Sequence, residues 1–125
     1  MANGGDILSI EKTINTFFEM MNSRNLAKMA ELLDHDCEFY FPKTQPLIGK
    51  DRILRFFNIL FRQYPELTFE VQRMILQGND AAIQWTNQGF NRRKESYKNE
   101  GVTIFIMANE KICFMSDFFK STDQW

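Results

Sequence analysis

A single carboxylate interrupts an otherwise apolar stretch near the end of the chain, "ICFMSDFFKS" at 112–121. Successive side chains of a β-strand point to opposite faces, which puts Asp117 among apolar neighbours on its own face. Those neighbours are Cys113, Met115 and Phe119. A buried carboxylate costs free energy or has a raised pKa unless a partner meets it. Three interpretations remain open: a hydrogen-bonded structural aspartate, a site aspartate in a cavity, or an aspartate at a solvated strand end.

The second interpretation would give acid/base chemistry. Desolvation would leave Asp117 as a base near neutrality, or as a neutral acid that donates to a carbonyl oxygen. Tyr40 could donate to an enolate oxygen, and Asn87 could donate to Asp117 or to the substrate. Trp85 could stack on a flat ring. The catalytic candidates are Asp117, Tyr40 and Asn87, and the substrate-binding candidates are Trp85, Glu38, Met115, Phe119 and Cys113.

Metal and cofactor sites have little support in the sequence. His35 is the only histidine and lies in "DHD", where an exposed loop or capping role is expected. Cys37 and Cys113 match no CxxC or Cys/His spacing, which indicates reduced, buried thiols. No phosphate-binding glycine loop and no dinucleotide fingerprint occurs. We therefore expect no metal and no cofactor.

Charge and hydropathy limit the possible partners. The 125 residues include 15 basic and 16 acidic side chains, and this balance favours neither nucleic acid nor an anionic membrane. The basic run "NRRKESYK" at 91–98 is expected to be a solvated hairpin tip. "MANGGDILS" lacks the features of a secretory signal, and no apolar run reaches membrane-spanning length. We expect a cytoplasmic protein.

The chain is rich in phenylalanine and methionine, with 13 and 7 of them. Both residue types fill cores, but in this proportion they also suit an adaptable apolar pocket or a subunit interface. The core interpretation and the pocket or interface interpretation both stay open. Under the pocket interpretation, the expected ligand is a hydrophobic small molecule.

Hydrophobic periodicity predicts three helices and five strands. Apolar residues follow helical spacing after "MANGG", then Asn25 can cap a second helix, and "KDRILRFFNILFRQYP" forms a third that ends at Pro65. A strand at "DCEFYFP" lies between the second and third helices, and "KTQPLIG" is a loop. Four long strands with short turns follow as an antiparallel meander. One domain over 1–125 is expected, with residues 1–6 flexible.

This order predicts an α+β fold in which a curved antiparallel sheet and three helices from the N-terminal half enclose a pocket. The residues expected to pack on the concave face are Phe17, Phe18, Leu33, Phe56, Phe57 and Leu60. The outer face carries more apolar side chains than a solvated sheet needs, which predicts a homodimer. Those side chains are Val102, Ile104, Ile106, Ile112, Phe114 and Phe118.

Several strings together resemble the SnoaL-like branch of the nuclear-transport-factor-2-like superfamily, which includes ketosteroid isomerases, limonene epoxide hydrolases and polyketide cyclases. They are "ELLDHDCEFYFP", "IGKDRILRFFNILFRQYPEL", "GNDAAIQWTNQGF" and "EKICFMSDFF". The resemblance spans nearly the whole chain. It implies a cone-shaped fold around a deep apolar pocket, often in a dimer, with few polar groups inside.

The same resemblance maps the closing-strand aspartate of the epoxide hydrolases and cyclases onto Asp117. Glu38 and Tyr40 lie roughly where the hydrolases place residues that orient the attacking water. Trp85 and Asn87 replace the hydrolases' arginine and second aspartate, so ordinary epoxide hydrolysis is not expected. The helix-borne tyrosine of the ketosteroid isomerases has no counterpart here.

Two functions remain open. The first is a cofactor-independent isomerase, cyclase or hydratase that acts on a ring-containing or polyketide-like molecule through Asp117. The second is a non-catalytic ligand-binding or dimerisation module with the same fold. In the first, we expect Asp117 to be buried in the pocket and hydrogen-bonded to Asn87 or Tyr40, with its pKa raised by desolvation.

Overall fold

The computed structural model describes residues 7–121. The helices are α1 (Ile7–Ser23), α2 (Leu26–Leu32) and α3 (Lys50–Gln63). The strands are β1 (Leu33–Tyr40), β2 (Leu47–Ile48), β3 (Glu66–Gln77), β4 (Asp80–Phe90), β5 (Ser96–Ala108) and β6 (Lys111–Phe119). The predicted domain 1–125 extends beyond these residues at both ends, and the flexibility predicted for 1–6 lies outside them.

The helices form where the sequence predicts them. The buried side of α1 consists of Ile10, Ile14, Phe17, Phe18 and Met21. Asn25 caps α2, because its side chain accepts a hydrogen bond from the backbone N–H of Lys28 at 3.0 Å. α3 ends before Pro65, and the predicted loop after β1 contains the two-residue strand β2.

The six strands form one mixed sheet in the order β2-β1-β6-β5-β4-β3. The predicted meander of β3 to β6 is confirmed, and each of its neighbouring pairs is antiparallel. The turn between β5 and β6 has positive φ at both Asn109 and Glu110, as a tight two-residue hairpin requires. The expectation of a purely antiparallel sheet was wrong in one place, because β1 runs parallel to its neighbour β6.

A β-bulge changes which residues of β6 face the helices. Ile106 pairs with Phe114, but the next residue of β5, Met107, pairs with Ile112. Cys113 is therefore an extra residue without a partner in β5, and the alternation of side chains breaks there. Ile112 is fully buried, whereas we had predicted it on the outer face.

The core lies between the helices and the inner face of the sheet. All six residues predicted to pack there belong to the core or pack against it, with Phe56 only partly buried. On the outer face, Phe118 is exposed, and Ile104 and Phe114 are partly buried. None of the helices between residues 7 and 121 is both long and apolar enough to span a membrane.

Candidate functional site

An aromatic-lined cavity lies between the helices and the inner face of the sheet. Its walls are Phe17, Phe18, Met21, Phe39, Phe41, Phe57, Leu60, Leu67, Phe69, Trp85, Asn87, Thr103, Met115, Asp117 and Phe119. Its volume is about 30 Å³, which is room for about one or two water molecules. Three wall residues keep some solvent exposure, namely Phe69, Asp117 and Phe119, and they mark its outer side.

Asp117 is the one titratable side chain among these wall residues. Its Oδ1 accepts a hydrogen bond of 2.6 Å from the hydroxyl of Thr103, the residue directly opposite on β5. Burial raises the pKa of Asp117 to about 7, and the hydrogen bond from Thr103 opposes this rise. The predicted cavity position of Asp117 agrees with the structure, but Asp117 is partly rather than fully buried and its hydrogen-bond partner is Thr103.

Trp85 extends the hydrogen-bonded chain behind Asp117. Its indole Nε1–H donates to Oγ1 of Thr103 at 2.8 Å, and both side chains are buried. Gly101 lies opposite Trp85 on β5 and leaves space for the indole. A methyl group on Gly101 would lie 2.8 Å from Cζ2 of Trp85. The absence of a side chain at Gly101 thus lets the indole lie over β5 and reach Thr103.

Asn87 lines the cavity but does not bond to Asp117, so that part of the prediction was wrong. Asn87 pairs with Asn99 and Asp117 pairs with Thr103, so the two side chains belong to rows four residues apart along β5, or about 13 Å. Asn87 is only 5% exposed, and its buried Oδ1 has no hydrogen-bond partner in the part of the chain that the structure describes. Asn87 therefore offers a free acceptor in a different part of the cavity wall.

Tyr40 and Glu38 are not wall residues, and the prediction that they share space with Asp117 was also wrong. Cys37 and Phe39 face the core, so strand alternation puts Glu38 and Tyr40 on the other face of β1. There the hydroxyl of Tyr40 donates to Oε1 of Glu38 at 2.7 Å. This hydrogen bond raises the pKa of Tyr40.

Of the predicted substrate-binding residues, Trp85, Met115 and Phe119 do line the cavity. Cys113 does not, because the bulge takes it out of the inward-facing series. Its thiol instead contacts the carbonyl oxygen of Ile106 at 3.3 Å. Burial raises the pKa of the Cys113 thiol.

Thr103 is the site residue that sequence reasoning missed. It stands in "GVTIFIMA" with apolar residues on both sides, as Asp117 does in its own strand. A polar residue on the inward face of each of two neighbouring strands was the available signal. To see that these two residues are partners, one must know how the residues of β5 pair with those of β6 beyond the bulge.

Two polar side chains hold the end of α1 against the cavity wall. Asn22 makes two hydrogen bonds with the backbone of Phe69 on the edge strand β3, at 2.9 Å and 2.8 Å. Arg24 donates to the carbonyl oxygens of Phe61, Tyr64 and Leu67 at 3.2, 2.7 and 3.4 Å. α1, the end of α3 and the start of β3 are thereby fixed around the wall residues that they carry.

The side chains that could bind a metal ion do not come together in the part of the chain that the structure describes. No group of three or more His, Cys, Asp or Glu side chains there could hold an ion. The polar wall residues offer a different set of groups: one carboxyl, one hydroxyl, one indole N–H and one amide. This set suits hydrogen bonding and proton transfer.

A family comparison identifies the fold. The family model described as a SnoaL-like domain matches residues 14–115, which is most of the chain. The chain belongs to the SnoaL-like family. A search for curated relatives of this SnoaL-like chain found no match.

Solved structures with low sequence identity share this fold. A proposed SnoaL-like polyketide cyclase from Jannaschia sp. CCS1 superposes with a TM-score of 0.84 at 16% identity, over 96% of this chain and 91% of that one. TerC, co-crystallised with polyporic acid, superposes with a TM-score of 0.82 at 16% identity, over 90% of this chain and 92% of that one. A proposed ketosteroid isomerase from Kribbella flavida DSM 17836 superposes with a TM-score of 0.79 at 20% identity, over 96% of this chain and 84% of that one. At these identities the likeness concerns the fold of the SnoaL-like chain.

Proposed function

We propose that this SnoaL-like chain is a cofactor-independent acid/base enzyme that isomerises or cyclises a hydrophobic, ring-containing small molecule. The observation that carries the proposal is the setting of Asp117: a lone carboxyl in an aromatic cavity, bonded to a neutral hydroxyl and, among residues 7–121, to no cation. With its pKa near 7, both protonation states are populated at neutral pH. A group in this range can both remove and return a proton efficiently.

The proposed reaction conserves the proton. Ionised Asp117 would take a proton from a carbon next to a carbonyl group of the substrate, which forms an enolate and a neutral carboxyl. The carboxyl would return the proton at another atom of an isomerised product, or to the oxygen formed in a cyclisation. Hydration has less support, because the described wall residues include no second carboxylate and no arginine that could hold and activate a water beside Asp117.

The wall of the cavity supports an apolar substrate. Trp85, Met115 and Phe119 would contact its ring system, and Asn87 would accept a hydrogen bond from a donor elsewhere on it. The names of the fold relatives, a proposed polyketide cyclase and a proposed ketosteroid isomerase, agree with such a substrate. Ligand sites commonly have volumes of about 300 to 1,000 Å³. We therefore expect the partly exposed rings of Phe69 and Phe119 to move when a substrate enters.

Deuterium exchange tests the proton-removal step without knowledge of the natural substrate. Mono-, bi- and tricyclic ketones, 2-tetralone among them, would be incubated with the protein in D₂O while NMR follows their α-protons. We expect exchange above the buffer rate, lowered at least about 100-fold in Asp117→Asn. Asp36→Asn, which changes an exposed aspartate of β1, is the matched control and should exchange like the unaltered protein. Equal exchange in Asp117→Asn, or none above buffer with any ketone, would contradict the proposal.

A second candidate is a non-catalytic module that dimerises through the outer face of the sheet. The small cavity favours it, because about 30 Å³ does not hold a ring in this arrangement of side chains. The exposed Phe118 and its partly buried neighbours Ile104 and Phe114 also favour it. Ligand-induced stabilisation separates the candidates, since only a pocket protein should gain thermal stability from ring compounds.

We also propose a cytoplasmic location for either candidate. Cys37 and Cys113 are both free thiols, and disulfides are rare in that compartment. Burial raises the pKa of Cys37 to about 12, which keeps it in the unreactive thiol form.

A further inference from the structure

We propose that Trp85 and Thr103 are positioning residues, which commit Oδ1 of Asp117 to accepting a hydrogen bond and leave Oδ2 as the oxygen that exchanges the proton with a substrate. This inference rests on the proposed acid/base function for its consequence in catalysis. The hydrogen-bonded chain itself can be tested without any substrate.

The direction of the chain follows from the chemistry of its donors. An indole N–H can only donate, so Oγ1 of Thr103 must accept from Trp85. The single hydroxyl proton of Thr103 is then free to point at Asp117, 2.6 Å away. The Thr103 hydroxyl has no other acceptor among its hydrogen bonds in the described residues, so its proton stays on Oδ1 of Asp117 whether the carboxyl is ionised or neutral. A proton on Oδ1 would compete with the threonine proton, so the acidic proton belongs on Oδ2.

The packing around the hydrogen bonds from Trp85 to Thr103 and from Thr103 to Asp117 keeps their direction fixed. Trp85 is 1% exposed and Thr103 is 5% exposed, so water does not compete for either group. Gly101 admits the indole, and the ring of Phe119 packs edge-on against Trp85 with ring centres 5.3 Å apart. The indole N–H has no other acceptor among its hydrogen bonds in the described residues.

Among the described residues that line the cavity, Asp117 is the one charged side chain. The wall residues from α1, β1, α3, β3, β4 and β5 are Phe, Met, Leu, Trp, Asn and Thr, none of which titrates in the physiological range. Desolvation and the Thr103 hydroxyl are the two influences on the pKa of Asp117. A change in this pKa after substitution of Trp85 or Thr103 would thus report on the chain itself.

The experiment is a titration of the Asp117 carboxyl carbon by NMR, with its signal assigned from its loss in Asp117→Asn. Thr103→Val keeps the shape of the side chain and removes the hydroxyl. It should raise the Asp117 midpoint by about one pH unit, because the charged form loses a hydrogen bond. Thr103→Ser restores the hydroxyl and should return the midpoint close to that of the unaltered protein.

Trp85→Phe tests whether the indole acts through Thr103. It should raise the midpoint by less than Thr103→Val does. In the double variant the tryptophan change should add nothing, since Trp85 acts only through the hydroxyl that is already gone. Additive shifts, an unchanged midpoint in Thr103→Val, or equal shifts in the Val and Ser variants would each overturn the proposal.

A measurement on the unaltered protein covers the case in which Trp85→Phe does not fold. The indole N–H signal of Trp85 should move with pH at the same midpoint as the Asp117 carboxyl, and this movement should vanish in Thr103→Val. An indole signal that does not respond at that midpoint would contradict the proposal.

If ketone exchange is absent while these titrations behave as expected, the proposed enzyme function fails, whereas the proposed positioning of Asp117 by Trp85 and Thr103 stands. If exchange is present, its pH profile should shift with the Asp117 midpoint in Thr103→Val.

Discussion

Gly101 and Trp85 lie directly opposite each other in the β4–β5 pair, and the indole of Trp85 occupies the space where a side chain at 101 would lie. A Cβ there would be 2.8 Å from Cζ2 of Trp85 and 2.5 Å from the carbonyl oxygen of Phe118. The second contact is with backbone, which cannot move as a flexible side chain can. The absence of a side chain at Gly101 therefore leaves the space in which the indole of Trp85 lies and reaches Thr103.

Gly101→Ala should destabilise the protein and disturb the chain to Asp117. Overpacking of a filled site costs about 1 to 3 kcal/mol, so we expect a loss of stability in that range in chemical denaturation. The indole should also shift away from Thr103, which tryptophan fluorescence and the Asp117 titration would both register. Gly78→Ala is the control for the titration: its positive φ of 58° makes an alanine strained there, so it should also lose stability, but no atom lies within 4 Å of the added carbon and its Asp117 titration should be unchanged. A Gly101→Ala protein with unaltered stability would contradict the packing account.

Asp117→Asn should stabilise the protein at neutral and alkaline pH. The pKa of Asp117 is about 7 when folded and about 4 when unfolded, so between these values the folded state holds the proton and the unfolded state does not. Stability from this group is therefore full below about pH 4 and falls as pH rises to about 7, by roughly 4 kcal/mol. The isosteric amide keeps an acceptor for Thr103 and should remove this pH dependence.

Unfolding curves at pH 4.5 and pH 8 check this prediction. The difference between Asp117→Asn and the unaltered protein should be larger at pH 8. Asp36→Asn should show no such gain, because Asp36 is exposed. Marked destabilisation of Asp117→Asn at both pH values would instead favour a structural aspartate that needs its charge.

Arg24→Ala should lower the stability of the protein by about 2 kcal/mol. The guanidinium donates to three backbone carbonyls, and charge-assisted hydrogen bonds are among the stronger ones. It also lies 4.9 Å from the ring centre of Phe61, which adds a cation–π contact. Lys94→Ala is a matched control, since Lys94 has nearly the same positive φ, 64° against 61°, and is exposed at the hairpin tip. Equal losses in the two variants would mean that the backbone conformation, rather than the guanidinium contacts, sets the effect.

Phe118→Glu should shift the protein from dimer to monomer if the outer face of the sheet is an interface. Phe118 is 59% exposed, and a charge at the centre of an apolar interface is costly to bury. Sedimentation at micromolar concentration would measure the change. Ile59→Glu is the control, because Ile59 is 48% exposed on α3, away from that face. A clean monomer before any substitution would reject the homodimer.

The sequence alone predicted the three helices and the five long strands, and the buried side of the helices. The repeat of Ile10, Ile14 and Phe17 predicts the inward side of α1, and Asn25 predicts the start of α2. Strand alternation grouped Asp117 with Met115 and Phe119, but both faces of that strand are mainly apolar, so the resemblance to the family was what implied the inward position. The resemblance to the SnoaL-like family, carried by the order of these elements, was confirmed by the family comparison.

The tertiary structure decided which groups meet. Thr103 lies opposite Asp117, Asn87 lies in another row of the sheet, and β1 runs parallel to β6. These relationships come from the pairing of strands, which joins residues that are far apart in the sequence. The bulge at Cys113 adds one residue to β6 and therefore turns Ile112, which precedes it, to the opposite face of the sheet. A strict alternation of side chains along the sequence does not reveal this change. The cavity of about 30 Å³ is what remains after many aromatic rings have packed together. Such a volume depends on how the rings fit in three dimensions, and the order of residues along a strand does not specify it.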